Sequence, residues 1–174
     1  MTLAPTLVPT PAPTLAPPAA AAHEASRVGI QAGPFDVGAE IAAFEAALAG
    51  RAGAIVTFTG LCRDEGGRLA ALELEHYPGM AEAELERVAA EADARWPVLA
   101  SRVIHRHGLV RPGEGIVLVL AASAHRRAAF EAASFLMDYL KTRAPFWKRE
   151  HLADGTVGGW VEAADADARA AEAW

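Results

Sequence analysis

Cysteine occurs once in the 174 residues, at Cys62. A single thiol excludes a disulfide framework and any cysteine-only metal site, and it fits a reducing compartment. Lysine is nearly as rare. Of 16 basic residues, only Lys141 and Lys148 are lysines, and the rest are arginines. Acidic residues number 22, for a net charge of -6, which excludes a protein that coats nucleic acid by bulk charge. No apolar run approaches the ~20 residues needed to cross a bilayer, so no membrane span is expected. Three common site motifs are missing: G-x-x-x-x-G-K-[ST], a G-x-G-x-x-G between strand and helix, and the G-x-S-x-G elbow.

Hydrophobic residues make up 52% of the chain, but 42 residues are alanine, so much of that content is small side chains. The length suits one domain, or one domain with a small appendage. Residues 1–22 carry no charge and hold six of the 11 prolines. They read as a disordered or polyproline-like extension, so residues 1–26 are set apart as a Pro/Ala-rich segment and 27–174 as the folded domain. The segment lacks the basic start and unbroken apolar stretch of a signal peptide, which points to a cytoplasmic protein.

Within the domain, Arg27–Ala32 reads as a strand. Asp36 reads as the N-cap of a helix with Ile41, Phe44 and Leu48 on one face and Gly50 as its stop. Gly53–Gly60 is rich in β-branched and aromatic residues and reads as a strand, followed by a polar loop at Leu61–Arg68. Leu72 and Leu74 alternate with Glu73 and Glu75, predicting a strand over Leu69–Tyr77 with one wet face. Leu85, Val88, Ala89, Ala92 and Trp96 mark a second helix, broken by Pro97. Arg102–His107 reads as a strand and Arg111–Glu114 as a turn. The unbroken apolar run Ile116–Ala122 predicts a central strand covered on both faces. Ser123 is placed to cap a third helix over Ala124–Thr142. Phe146–Leu152 and Val157–Ala163 flank Ala153-Asp154-Gly155 as a hairpin. The mixed order argues for an α+β domain.

Four places could carry chemistry. His105 and His107 form an H-x-H pair, but no third metal ligand lies nearby by spacing, so core or surface histidines are expected and no metal. Cys62 beside Arg63 reads either as a reactive thiol or as a small apolar residue at a strand end. His125 and Arg126 open the third helix, where free N–H groups attract anions and a cation opposes the helix dipole. They await either an anionic ligand or a carboxylate such as Glu131. Lys141, Arg143, Lys148 and Arg149 are four cations with no acid among them, interleaved with Phe146 and Trp147. That segment fits a stacking platform for single-stranded nucleic acid, a pocket for a phosphorylated heterocycle, or a solvated edge with one aromatic in the core. An amine can exchange its proton, whereas a guanidinium effectively cannot. Arg126 and Lys141 are separated by about 22 Å along a helix, at 1.5 Å rise per residue. Hence they serve two sites, or a twofold dimer brings the helix start of one chain to the helix end of the other. The second arrangement is the one expected here.

The strings TFTG-x-x-RD at 57–64, LELEHYPGM at 72–80, RW at 95–96, VIHR at 103–106, SAHR at 123–126 and MDYLKTRAPFWKRE at 137–150 resemble the large, catalytic subunits of molybdopterin synthases. The resemblance spans about residues 27–174. It implies an α/β hammerhead-type fold with a smaller β subdomain, and a homodimer within a heterotetramer. The partner it implies is a small ubiquitin-like subunit with a thiocarboxylated C-terminal Gly-Gly. The implied reaction places two sulfurs on cyclic pyranopterin monophosphate to make molybdopterin, with no resident cofactor. Lys141 and Lys148 become the catalytic residues by the same resemblance. Arg63, His125, Arg126, Phe58, Met137 and Arg143 become the substrate-binding set. Cys62 stands where the family usually has an apolar residue. The alternative is a non-catalytic dimeric module that binds anions or nucleic acid.

Overall fold

Eight strands and three helices make up the described part of the computed structural model, which covers residues 27–161 and Trp174. The Pro/Ala-rich segment, residues 1–26, lies outside the described residues. Two four-stranded sheets organise the chain. The first combines β1 (Val28–Gln31), β4 (Val98–Arg106), β6 (Gly115–Ser123) and β2 (Ala54–Leu61), in that order across the sheet. Only β1 and β4 run parallel in it. The second sheet combines β5 (Gly108–Val110), β3 (Leu69–His76), β7 (Phe146–Leu152) and β8 (Val157–Val161), all antiparallel. This is the expected α+β arrangement, a sheet with helices on both faces joined to a smaller β unit.

Alternation along β6 builds two cores. Val117, Val119 and Ala121 face helices α2 (Met80–Arg95) and α3 (Arg126–Thr142), meeting Leu85, Val88, Phe135 and Leu136. Leu118 and Leu120 join Ile104 on the other face, under helix α1 (Val37–Leu48) with its Ile41 and Phe44. Each such fully buried aliphatic stabilises the fold by about 1.5–3 kcal/mol relative to exposure. A third, small core of Cys62, Leu69, Leu74 and Val110 lies under the second sheet.

Local signals set the helix ends. Asp36 caps α1 by accepting from the Ala39 N–H at 2.9 Å. Its last turn closes through Ala49 in the left-handed region, with Gly50 following. Gly79 takes a φ of +83° at the break before α2, and its N–H donates to the Glu82 carboxylate at 2.7 Å. Gly53 is required for a different reason. A Cβ there would sit 2.2 Å from the Ala124 carbonyl oxygen, so only glycine lets the start of β2 approach the start of α3.

Three expectations are corrected. Ser123 does not cap α3. His125 is the N-cap residue, and no side chain caps it. Ser123 still belongs to β6, fully buried, donating to the Pro97 carbonyl at 2.8 Å and accepting from the His125 N–H at 3.3 Å. Strand β4 begins at Val98 rather than Arg102, because Val98 and Ala100 pair with Ser123 and Ala122 on β6. The short β5 was not expected at all. Its three residues are recruited by β3 through Leu72, Glu73 and Leu74.

Candidate active site

Strand β2 is an edge of the first sheet, and α3 lies across β6 and β2. The space between β2 and α3 is a pocket of about 690 Å³. Val56, Thr57 and Phe58 line it from the strand, and Phe130, Ser134, Met137 and Lys141 from the helix. The helical four follow the spacing i, i+4, i+7, i+11, so they share one face. Phe58 is 39% exposed and Phe130 62%, so the walls of this pocket are aromatic surface open to a ligand. Glu131 and Asp138 bring carboxylates to its rim. Each has another partner: Arg127 donates to Glu131 at 2.8 Å, and the Trp174 indole N–H donates to Asp138 at 2.8 Å.

Three of the expected site residues therefore meet in one pocket: Phe58, Met137 and Lys141. The others lie elsewhere. Lys148 is half-buried on β7, paired with Leu74 and Val161, on the sheet face that also carries Phe146. Arg63 is exposed in the loop after β2, held by Glu65 with its Nε 2.8 Å from the carboxylate. Its neighbour Cys62 belongs to the small core with Leu74, the register partner of Lys148, whereas the Arg63 side chain itself is exposed. Arg143 lines a separate, shallow cleft with Glu91, Arg95 and Tyr139. His125 and Arg126 are exposed at the far end of α3 from Lys141, and α3 is one unbroken helix of 17 residues.

The apparent run of four cations is broken up by the fold. Arg149 points to the opposite face of β7 from Lys148, where Glu73 holds it at 2.7 Å and Trp160 lies 4.9 Å beneath its guanidinium. Glu73 also meets His151 at 2.6 Å. These two hydrogen bonds hold the Glu73 carboxyl well below the usual range, at about 2.

Cys62 is buried, 3% exposed, and burial raises its thiol. That is the small apolar residue expected at a strand end, not a reactive thiolate. His105 is likewise a core histidine. Its Nδ1 lies 2.8 Å from the Arg106 carbonyl, and burial lowers it to about 4. No group of three or more metal-ligating side chains is found among the described residues.

Sequence reading missed Phe130, Ser134, Thr57 and Trp174 as pocket residues. The helical spacing of Phe130, Ser134, Met137 and Lys141 was available as a signal. The edge position of β2, which turns Thr57 and Phe58 toward the same space, was not.

The family model described as MoaE protein matches residues 30–143. The chain belongs to the MoaE family. It is 67% identical over 152 residues to the molybdopterin synthase catalytic subunit of Mesorhizobium japonicum, covering 86% of this chain and 94% of that one. The Pseudomonas aeruginosa molybdopterin synthase catalytic subunit is 50% identical over 83% of this chain and 96% of its own length. Among solved structures, the MoaE protein of Burkholderia ambifaria superposes with a TM-score of 0.72 at 43% identity, covering 86% of this chain and 98% of that one. The molybdopterin synthase structure from Staphylococcus aureus superposes at 0.68 with 29% identity, covering 76% and 95%. The fold and the enzyme family inferred from the motif strings are those that the comparisons find. A subunit 1 and 2 complex of the molybdopterin-converting factor from Helicobacter pylori shares the fold, at a TM-score of 0.67 and 20% identity.

Proposed function

We propose that this chain is the catalytic subunit of a cytoplasmic molybdopterin synthase, transferring sulfur from a thiocarboxylated C-terminal Gly-Gly tail of a small ubiquitin-like partner to cyclic pyranopterin monophosphate. The observation that carries the reading is the pocket between β2 and α3, which unites Phe58 and Met137 with the amine of Lys141. Its apolar walls suit a narrow glycine tail or a flat heterocycle. The amine faces the anionic end that either one brings.

The thiocarboxylate sulfur attacks an oxygen-bearing substrate carbon, forming a C–S bond and an acyl-thio linkage between the tail and the substrate. That carbon's C–O bond breaks and the oxygen leaves, on the phosphate where the cyclic ester opens or as water at the carbonyl carbon. Water then cleaves the acyl–sulfur bond. The sulfur stays on the substrate as a thiol, and the partner leaves with an ordinary carboxylate tail. A second loaded partner repeats the sequence at the adjacent carbon, completing the dithiolene. Lys141 donates a proton or hydrogen bond to the oxyanion formed at the acyl carbon. Lys148 and Arg63 hold the anionic groups. The roughly 22 Å between Arg126 and Lys141, at 1.5 Å rise per residue, leaves one chain unable to bring both to one small ligand. A second copy, packed antiparallel along the exposed stripe of α3, would bring His125 and Arg126 to this pocket. The assembly is then a homodimer with one small subunit at each end.

The nucleic-acid alternative loses its main support in the geometry of β7. A binding track needs contiguous cations, and here Arg149 is neutralised by Glu73 on the opposite face from Lys148.

The test mixes the full chain with a thiocarboxylated ubiquitin-like partner and cyclic pyranopterin monophosphate, and assays dithiolene product. Wild type yields product. Lys141→Ala lowers turnover by at least ~100-fold with partner binding retained. Near-normal turnover of that variant removes Lys141 from the mechanism, and no product from wild type with partner binding intact overturns the reading.

A further inference from the structure

The two lysines stand on different elements, a helix and a strand. Lys141 lies in the last turn of α3, which packs on the first sheet, and Lys148 sits on β7 of the second. The chain crosses between them at Ala144-Pro145-Phe146. At that crossing the Phe146 ring stacks on His105 of β4, with centroids 3.8 Å apart and planes 20° from parallel. This contact joins an inner strand of the first sheet to an inner strand of the second. Phe146 and Lys148 share a face of β7, one residue apart in the pleat, so fixing one ring fixes the start of the strand that carries the amine. His76 is opposite Phe146 in the β3–β7 register, its ring 5.9 Å away, and His107 lies 4.7 Å from His76.

We propose that His105 is a positioning residue for Lys148, its buried ring clamping Phe146 so that β7 starts at one fixed place against the first sheet. The consequence for catalysis rests on the reading of Lys148 as an active-site amine.

The chemistry of His105 suits a clamp. The Arg106 carbonyl can only accept, so Nδ1 carries the proton and donates to it, which fixes the ring orientation. Burial and the neighbouring His76 keep the imidazole uncharged at neutral pH, so the stack is one of neutral rings. A Glu82 carboxylate oxygen lies 3.9 Å from His76, and the guanidinium of Arg106, next along β4, is engaged by Glu114 and the Gly115 carbonyl.

The scarcity of lysine makes the proposal directly measurable. Reductive ¹³C-methylation of the full chain gives two side-chain amine signals, assigned with Lys141→Arg and Lys148→Arg. His105→Phe keeps a stacked ring, and His105→Leu keeps an apolar core group without one. The expected result is a displaced Lys148 signal in His105→Leu, an unmoved Lys141 signal, and the wild-type position for both in His105→Phe. Turnover falls on the order of tenfold in His105→Leu, as expected for a slightly misplaced group, and stays within twofold in His105→Phe. Phe146→Leu removes the stack from the other side and serves if His105→Leu does not fold, with the same displacement expected. An unmoved Lys148 signal in a folded variant lacking the stack, or equal displacement by His105→Phe and His105→Leu, overturns the proposal. Since the spectra need no substrate, they stand apart from catalysis. Normal turnover of Lys148→Ala would sink the catalytic reading of that amine while leaving the positioning measurement valid.

Discussion

Arg149 reaches across the β3–β7 ladder to Glu73, with Nε 2.7 Å from the carboxylate, and His151 meets the same carboxylate at 2.6 Å. The pair of contacts holds the Glu73 carboxyl at about 2. A carboxylate whose folded-state value is depressed adds stability that is complete above its unfolded value, near ~4.3, and is lost as pH falls toward the folded value. The second sheet should therefore weaken between about pH 4.5 and 2. Thermal melts over that range check it, with Glu73→Gln expected to flatten this part of the profile.

His105 acts in a higher window. Its folded-state value, lowered to about 4 by burial, lies below the ordinary imidazole value. Between about pH 6.5 and 4 the unfolded chain takes up a proton that the folded chain does not, so stability falls as pH falls through that window. The accumulated loss is on the order of 3 kcal/mol. Melting temperatures of wild type and His105→Phe, measured from pH 8 to 4, should diverge below about pH 6.5. Parallel curves would show that the imidazole titrates normally in the folded state.

Phe58 is partly exposed on an edge strand, so its ring contributes more to the pocket than to the core. Phe58→Ala should weaken binding of the partner's tail or the substrate by about tenfold, roughly 1.4 kcal/mol, with little change in melting temperature. Met137→Ala should do the same, with a larger stability cost because Met137 also packs against the main core. Titration calorimetry beside thermal melts separates the two effects. Unchanged binding in both variants would place the ligand outside this pocket.

Cys62 offers a clean control. Its thiol is buried among Leu69, Leu74 and Val110, with no route to a reaction. Cys62→Ala should keep wild-type turnover while losing about 1–2 kcal/mol of stability to the cavity. A lost activity in a stable variant would revive a sulfur-carrying role for this residue.

Much of the architecture was legible because it rests on local chemistry. Asp36, Gly50 and Pro97 punctuate the helices, and the apolar run Ile116–Ala122 reads as a strand covered on both sides. What escaped was long-range. Val98–Ser101 becomes strand because β6 offers it a ladder, and β5 exists only because β3 does; neither partner is visible from the segment itself. The site divides in the same way. Lys141 and Lys148 stood out by residue type, and the motif strings supplied Phe58 and Met137. The apparent cationic patch did not survive folding, because a strand sends Lys148 and Arg149 to opposite faces and Glu73 arrives from 76 residues away to meet the second.

The alanines of α3 have a consequence of their own. Ala128, Ala129, Ala132 and Ala133 are buried against the sheet, and Ala133 also borders the pocket. Only at Ala133 is the cavity shaped by carbon atoms that are missing, since its other helical walls include the larger Phe130, Met137 and Lys141. Its width is therefore tunable in single methylene steps at one position, without new hydrogen bonds and without refashioning the backbone. A lineage needing to admit a bulkier ligand, or to shut out a wrong one, could change the width of this pocket by one codon and keep every strand in register.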